Sequence, residues 1–507
     1  MRRFAAVAAL IACALVTPAP PARAADDAAA LIAKHAAYVG WHAADGVVKT
    51  LRATGEATRD GKPRATVTSL RYGVAFRNTS INADGLRSDS GFTGTVSWTS
   101  NVNGFTVRPV GEIVRYEFAR DALFAETTTT AAFTPSVRRN EKVDGVDCTV
   151  VRLTSQVGFP IDVYVDPATG QYRRAVIDPD GKYEDVFNGM QYTAAGGKRF
   201  LSAWHHFDAK TRYSYTKIEP NAEIAPDDLR PPKQTATWTF DDAPAQIEYR
   251  DQPYPRIFID VTVNGTKGKF IFDTGADGIV MLDSFARAAG AKRFSSMDIG
   301  GIGPNTAKAN VFRVDTIGVG GSTLHDVIVS SGLDEEWKRA GIVGIIGFDL
   351  LAGTVAELSL DAKTLRLMDP AKVAPDERAG MVVHADLSDH HIRVPMRVND
   401  RVDVIATLDT GNPADVLLSE DLIRREKLTF MTKYQAYASG IGGTEVQNCG
   451  KLKSLTLGPV RYNLPAACDS SSLYRNEILV GLDFMRAFNY VFDYPDGIIV
   501  MIPRKNY

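Results

Sequence analysis

Two tripeptides in this 507-residue chain carry the residue types of acid–base chemistry. "FIFDTGADGIVM" (270–281) sets Asp273-Thr274-Gly275 between apolar runs, and "VIATLDTGNPADVLLS" (404–419) sets Asp409-Thr410-Gly411 in the same way. One such turn says little, because an Asp after a strand commonly caps its own backbone and a neighbouring Gly is ordinary turn chemistry. Two turns in matching contexts say more. Carboxylates about 3 Å apart cannot both ionise, so a facing pair shares one proton. One member then accepts a proton while the other donates one, which is general base and general acid in a single unit.

The elements that would position these turns are duplicated as well. "RIFIDVTVNG" alternates Ile257, Ile259, Val261 and Val263 before Asn264-Gly265, and "HIRVPMRVND" alternates Ile392, Val394, Met396 and Val398 before Asn399-Asp400. Both read as half-buried strands that end in hairpin turns. The turn Asn precedes the Asp by nine residues in one copy (273 − 264) and by ten in the other (409 − 399). Downstream, "GGIG" (300–303) answers "SGIG" (439–442), "VDTIGVG" (314–320) answers "LKSLTLG" (452–458), and "GIIGFDLL" (344–351) answers "ILVGLDFM" (478–485). The offsets stay close, at 409 − 273 = 136 and 481 − 347 = 134, so a whole unit is repeated.

An apolar run into Asp-Thr-Gly, a Gly-rich hairpin, and then an Ile-Ile-Gly or Leu-Val-Gly step resemble the retroviral-type aspartic proteases. The resemblance spans roughly 245–507 and implies a single chain in which both halves of the usual homodimer are fused. It implies a mainly β fold: two retropepsin-like acid-protease β-barrel lobes in tandem, at 251–372 and 380–507. It also implies hydrolysis of peptide bonds by water, with Asp273 and Asp409 as the catalytic pair and Thr274, Gly275, Thr410 and Gly411 as its support. Gly275 and Gly411 let each turn approach its neighbour, and the threonine hydroxyls reach across the lobe junction. The segments 299–304 and 439–443, with Gly300, Gly301, Gly303, Gly440, Gly442 and Gly443, would be flaps closing over an extended peptide or protein substrate, and Asp277 would lie beside the substrate backbone. Asp349 and Asp483 read as N-caps of short helices. Lobe 2 departs from the pattern at Asn412 and Pro413, where Pro removes a backbone donor. A lobe pair that has lost activity and serves as a scaffold is the competing reading.

The chain opens "MRRFAAVAALIACALVTPAPPARA", a basic and then apolar segment with an Ala22-Arg23-Ala24 cleavage site, which reads as a signal peptide (1–24) for a periplasmic or secreted protein. Leu10-Ile11-Ala12-Cys13 also resembles a lipoprotein box, a weaker match because the apolar stretch continues past Cys13. No later run has the length of a membrane helix. Of the remaining cysteines, Cys449 and Cys468 lie 19 residues apart in one lobe and are expected to bridge, leaving Cys148 unpaired. No metal-ligand spacing is present, no cofactor is called for, and His205-His206 and His390-His391 read as solvated or capping residues. A formal net charge of −2 argues against a nucleic-acid partner.

Residues 25–230 read differently. "DDAAALIAKHAAYVG" forms one amphipathic helix, and short strands with turn signals follow, as in "VYVDPATGQYRRAVIDPDGKYEDVF". One helix and a long antiparallel meander, with "GFTGTVSW" and "VDPATGQ", are similar to the periplasmic lipoprotein-carrier half-barrels. That implies a face for an apolar ligand, with a docking or inhibitory module as the alternative. A Pro-rich segment, 231–250, reads as the linker.

Overall fold

The computed structural model describes residues 22–505, apart from 60–61, 72–74, 94–95, 108–111, 180, 182–183, 208–210, 242, 251–254, 304, 374–375, 377–378, 388–389 and 474–476. The expected signal peptide lies outside these residues except for 22–24, as does Cys13.

The N-terminal domain is one antiparallel sheet of thirteen strands. Its first six strands run back along the chain from Thr106–Val107 to Thr50–Arg59, which pairs with Thr211–Pro220, and the order then descends to Thr134–Val143. Hairpin chemistry sets the register. At Asp144-Gly145 both central residues take positive φ (48° and 83°), the geometry that matches the twist of the flanking strands. Helix α1 (Ala22–Val39) packs on the sheet through Ala28 and Ile32. It is pinned by His35, which hydrogen-bonds to Glu126 and to the Gly170 carbonyl, both at 2.9 Å.

A second helix, α2 (Glu112–Phe124), was not expected from the sequence. Ala119, Ala122 and Leu123 sit on one of its faces and join the same apolar cluster as Phe187 and Trp204. Its charged residues dilute the apolar stripe, so burial against the sheet, rather than a clear period in the sequence, accounts for the helix.

The two repeats build lobes with the same strand order. In lobe 1, Lys292–Ile299, Ala307–Val319, Ser322–Ser331, Ile279–Met281, Gly344–Ile346, Thr266–Phe272 and Arg256–Val263 lie side by side. In lobe 2 the order is Tyr434–Gly440, Gly443–Lys451, Ala466–Ser470, Val416–Ser419, Ile478–Val480, Val402–Leu408 and Arg393–Val398. Between the lobes, six strands run Ala245–Arg250, Thr364–Met368, Val355–Ser359, Phe488–Asp493, Ile498–Pro503 and Met381–His384. This order is symmetric about the central antiparallel pair, in which Val355 faces Asp493 and Leu358 faces Tyr490. Each lobe contributes three strands, so one continuous apolar core runs from Ile257 and Phe270 through Leu358 and Phe492 to Val394 and Leu408.

The segment 231–250 is more than a linker. Thr237–Thr239 pairs with Ser322–Ser331, and Ala245–Arg250 is the outer strand of the interlobe sheet. The prolines do not block this, because Pro244 stands just before its strand, where no ladder donor is required. Ala245–Arg250 thus holds on the lobe 1 side the place that Met381–His384 holds on the lobe 2 side.

The N-terminal domain is fastened to lobe 1. Phe105 and Val107 enter the lobe core. The Asn103 side chain, fully buried, accepts the Ile328 amide at 2.6 Å and donates to the Ile328 carbonyl at 2.9 Å, standing in for one residue of a paired strand. Ser295 donates to Asp84 at 3.0 Å, and Lys62 pairs with Asp298.

Candidate active site

The strand Thr266–Phe272 ends at Asp273, and Val402–Leu408 ends at Asp409. Each strand lies parallel to the Ile-Ile or Leu-Val step of its own repeat, with Phe272 facing Ile346 and Leu408 facing Val480. The Asp amides continue the ladders, donating to Ile346 and Val480 carbonyls at 3.0 and 2.9 Å. Each carboxylate then turns back on its own loop: Gly275 N–H donates to Asp273 Oδ1 and Gly411 N–H to Asp409 Oδ1, both at 2.8 Å. This is the bland turn chemistry, and it is present twice.

What a lone turn would not show is the contact between them. A Cβ placed on Gly275 would stand 2.5 Å from Asp409 Cγ, and one on Gly411 would stand 2.2 Å from Asp273 Cγ. Only glycine admits the opposite carboxyl group here. Beneath the carboxylates the buried hydroxyls of Thr274 and Thr410 each accept the other's amide at 3.0 Å, and they donate to the Leu408 and Phe272 carbonyls at 2.6 and 2.9 Å. Burial pushes the Asp273 carboxyl well above its ordinary pKa, and the charge and hydrogen bond of Asp409 push the same way, against the Gly275 amide and Arg256. The pair therefore retains a proton where a solitary Asp would have lost it.

The Gly-rich segments form two hairpins, one from each lobe, whose tips meet. Residues 300–306 join Lys292–Ile299 to Ala307–Val319, and Ile441-Gly442 joins Tyr434–Gly440 to Gly443–Lys451. The tips interlock. Gly301 lies against Ile441 and Gly440 against Ile302, while Gly303 stands beside Gly442 and Gly443, so added side chains would collide. Gly300 faces open space. Ile302 packs with Leu417, Cys449 and Cys468 of lobe 2, and Ile441 packs with Phe258, Leu282 and Ile345 of lobe 1. Gly303 N–H donates to Ser472 Oγ at 2.9 Å. Cys449 and Cys468 are joined in a disulfide that ties the second hairpin to its neighbouring strand, and Cys148 is buried and free.

Several residues differ from expectation. His206 Nδ1 lies 2.9 Å from Asp185 Oδ1 and the His390 ring packs on Phe348, so neither is merely solvated. His391 is neither solvated nor a cap: its Nε2 lies 2.8 Å from Asp277 Oδ1 and 3.0 Å from the Gly275 carbonyl, across the lobe junction. Burial lowers the His391 pKa, but the hydrogen bond and charge of Asp277, with the charge of Asp409, together outweigh it and leave the imidazole above its ordinary value. Asp349 and Asp483 do not cap their helices, whose N-caps are Gly347 and Gly481. Asp349 instead accepts from Asn101 Nδ2 of the N-terminal domain at 2.6 Å, and Asp483 pairs with Arg486 at 3.1 Å. In lobe 2, Asn412 is buried, with its amide on Asp409 Oδ1 at 3.1 Å and its Nδ2 without an acceptor.

Sequence and geometry together point one way. Both lobes match the aspartyl protease family model. The matched segments are 259–350 and 394–484, each containing one Asp-Thr-Gly turn and one later Gly step. No curated protein matches the chain. Among solved structures, the chain is similar over 40% of its length to a domain from Vibrio parahaemolyticus described as outer membrane lipoprotein-sorting, with 97% of that domain covered, 12% identity and a TM-score of 0.30. A DUF1329 family protein from Desulfovibrio piger aligns over 41% of this chain and 97% of its own, at 12% identity and a TM-score of 0.27. Among the described residues, no group of three or more His, Cys, Asp or Glu is placed to hold a metal ion, and no helix is long and apolar enough to cross a membrane. Where the two matched segments meet, the polar groups include the two carboxyls, the threonine hydroxyls and the cross-lobe His391–Asp277 pair.

Proposed function

We propose that the chain is an exported aspartic endopeptidase whose lobes supply Asp273 and Asp409 to one catalytic unit. The observation that carries this reading is the reciprocal Thr274–Thr410 lattice, with each carboxyl group seated over the opposite glycine. A water held between the two carboxyls gives one proton to the ionised member as its oxygen bonds to the peptide carbonyl carbon. The protonated member gives its proton to the carbonyl oxygen. The resulting gem-diol collapses when the amine takes a proton from the pair and a gem-diol hydroxyl returns one to it, the C–N bond breaks, and one acid and one amine leave. The flaps hold the peptide extended and exclude water.

The docking reading of the N-terminal domain is favoured over the carrier reading by Asn101, Asn103 and Phe105, which build part of lobe 1, and by α1 and α2, which cover a face of its sheet. The basic, apolar start of the sequence supports export. The test is a peptide library offered to the purified full chain with and without a transition-state-mimic inhibitor. Cleavage blocked by the inhibitor supports the enzyme, whereas binding without cleavage supports the scaffold.

A further inference from the structure

The two lobes are not chemically symmetric where they meet the substrate cleft. Asn264 and Asn399 register them: both take positive φ (48° and 54°), and each side-chain carbonyl accepts two amides, from Asp315 and Thr316 in one lobe and from Lys453 and Ser454 in the other. Eight residues back from each stands Arg256 (264 − 8) in lobe 1 and His391 (399 − 8) in lobe 2. Four residues beyond each dyad Asp stands Asp277 (273 + 4) in lobe 1 and Pro413 (409 + 4) in lobe 2. His391 reaches across to lobe 1 and meets Asp277. By the same pseudo-twofold relation Arg256 is the lobe 1 counterpart of His391, and Pro413, the counterpart of Asp277, offers no carboxylate.

Arg256 is half-buried, makes no ion pair among the described residues, and spends one N–H on its neighbour, Nη1 to the Pro255 carbonyl at 3.1 Å. Its charge and those of Asp273 and Asp409 influence one another. A guanidinium has five donors in a planar fork suited to a carboxylate, and when partly desolvated it is ordinarily paired. We propose that Arg256 is a specificity residue that takes a carboxylate of the substrate, on the lobe 2 side of the scissile bond, in the place that Asp277 fills opposite His391. An aspartate or glutamate side chain supplies that group within an internal segment, and a free C-terminal carboxylate supplies it at a chain end. The inference rests on the peptidase reading of the cleft for its substrate class.

The experiment uses the full chain and peptide pairs that differ only as Glu against Gln, moved one position at a time through three residues on either side of the cleaved bond, together with pairs ending in a free acid or an amide. The same pairs are made around a non-cleavable statine unit for direct binding. At one position the wild type should favour the acid by about tenfold or more in kcat/KM and in binding, the size expected of a charged hydrogen bond. Arg256→Gln should erase that preference in binding of the statine peptides while binding the Gln member of each pair within about threefold of wild type, and Arg256→Glu should favour Lys at the same position. A preference for the internal acid identifies a side-chain subsite, and one for the terminal acid identifies a chain-end subsite. Efficient cleavage with no acid preference at any position overturns the inference and leaves the peptidase intact. A binding preference for the acid that Arg256→Gln removes, without turnover of any peptide, sustains the subsite and overturns the peptidase. Equal binding of every pair overturns the inference.

Discussion

Thr274 and Thr410 exchange hydrogen bonds across the lobe junction, each hydroxyl accepting the other's amide at 3.0 Å. Because each also donates to a carbonyl of the opposite strand, the two turns are locked in one orientation that no rotation of a single lobe preserves.

Thr274→Val or Thr410→Val should therefore be far more damaging than loss of a methyl-sized contact. Each removes one hydroxyl and strands a buried amide and a buried carbonyl, at a cost of about 2–4 kcal/mol. The thermal midpoint should fall and peptide cleavage with it. Thr→Ser at either position should restore most of both, and a serine variant as poor as valine would show that the hydroxyl is not what matters.

Asp273→Asn and Asp409→Asn should each reduce kcat by about a thousandfold or more, with the double variant scarcely worse, since the two carboxyls act as a unit. Circular dichroism should show all three folded. The pH profile of the wild type should be bell-shaped and report the pair. Asp273 holds its proton well above the ordinary range, so activity persists until that elevated value is passed and then falls as the proton is lost. Near-normal turnover in either single variant would mean that the turns do not serve one cleft.

Burial lifts Asp349 from 3.8 to about 6, against the hydrogen bonds of Asn103 and Asn101. A carboxyl whose folded pKa is raised favours folding when protonated, so its contribution is greatest below about pH 4 and is lost as the pH rises through about 6. Asp349→Asn mimics the protonated form and keeps an acceptor for Asn101. It should stabilise the chain by about 1–3 kcal/mol at pH 8 and by almost nothing at pH 4, as read from thermal midpoints across the range. Equal effects at both pH values would mean that Asp349 does not titrate in this interval.

Asn103→Ala removes both hydrogen bonds to Ile328 and leaves that buried backbone unpaired at the joint between the N-terminal domain and lobe 1. A loss of about 1–3 kcal/mol is expected. Limited proteolysis should then release the N-terminal domain faster than in wild type, and an unchanged cleavage rate would show that the joint is held elsewhere.

The duplicated turns, the alternating strands, the hairpin asparagines and the Gly-rich tips were all legible in the sequence, because each depends on chemistry within a few residues. Period-two burial and positive φ at Asn264 and Asn399 are local demands, and repetition made them visible twice. The Cys449–Cys468 bridge also followed from spacing and compartment. Helix α2 was hidden because its stability comes from burying Ala119, Ala122 and Leu123 against a sheet assembled from distant segments. The role of 237–250 was hidden because Pro content marks where a ladder is interrupted and says nothing of strands beside the interruption. Asp349 passed for a cap because its partner, Asn101, lies 248 residues away in another domain. His391 read as a solvated or capping residue for a related reason: its partner, Asp277, belongs to the other lobe. The residue types and their order determined that two equivalent turns exist. Only the packing of one lobe against the other decided that the turns meet, and that His391 of one lobe reaches Asp277 of the other.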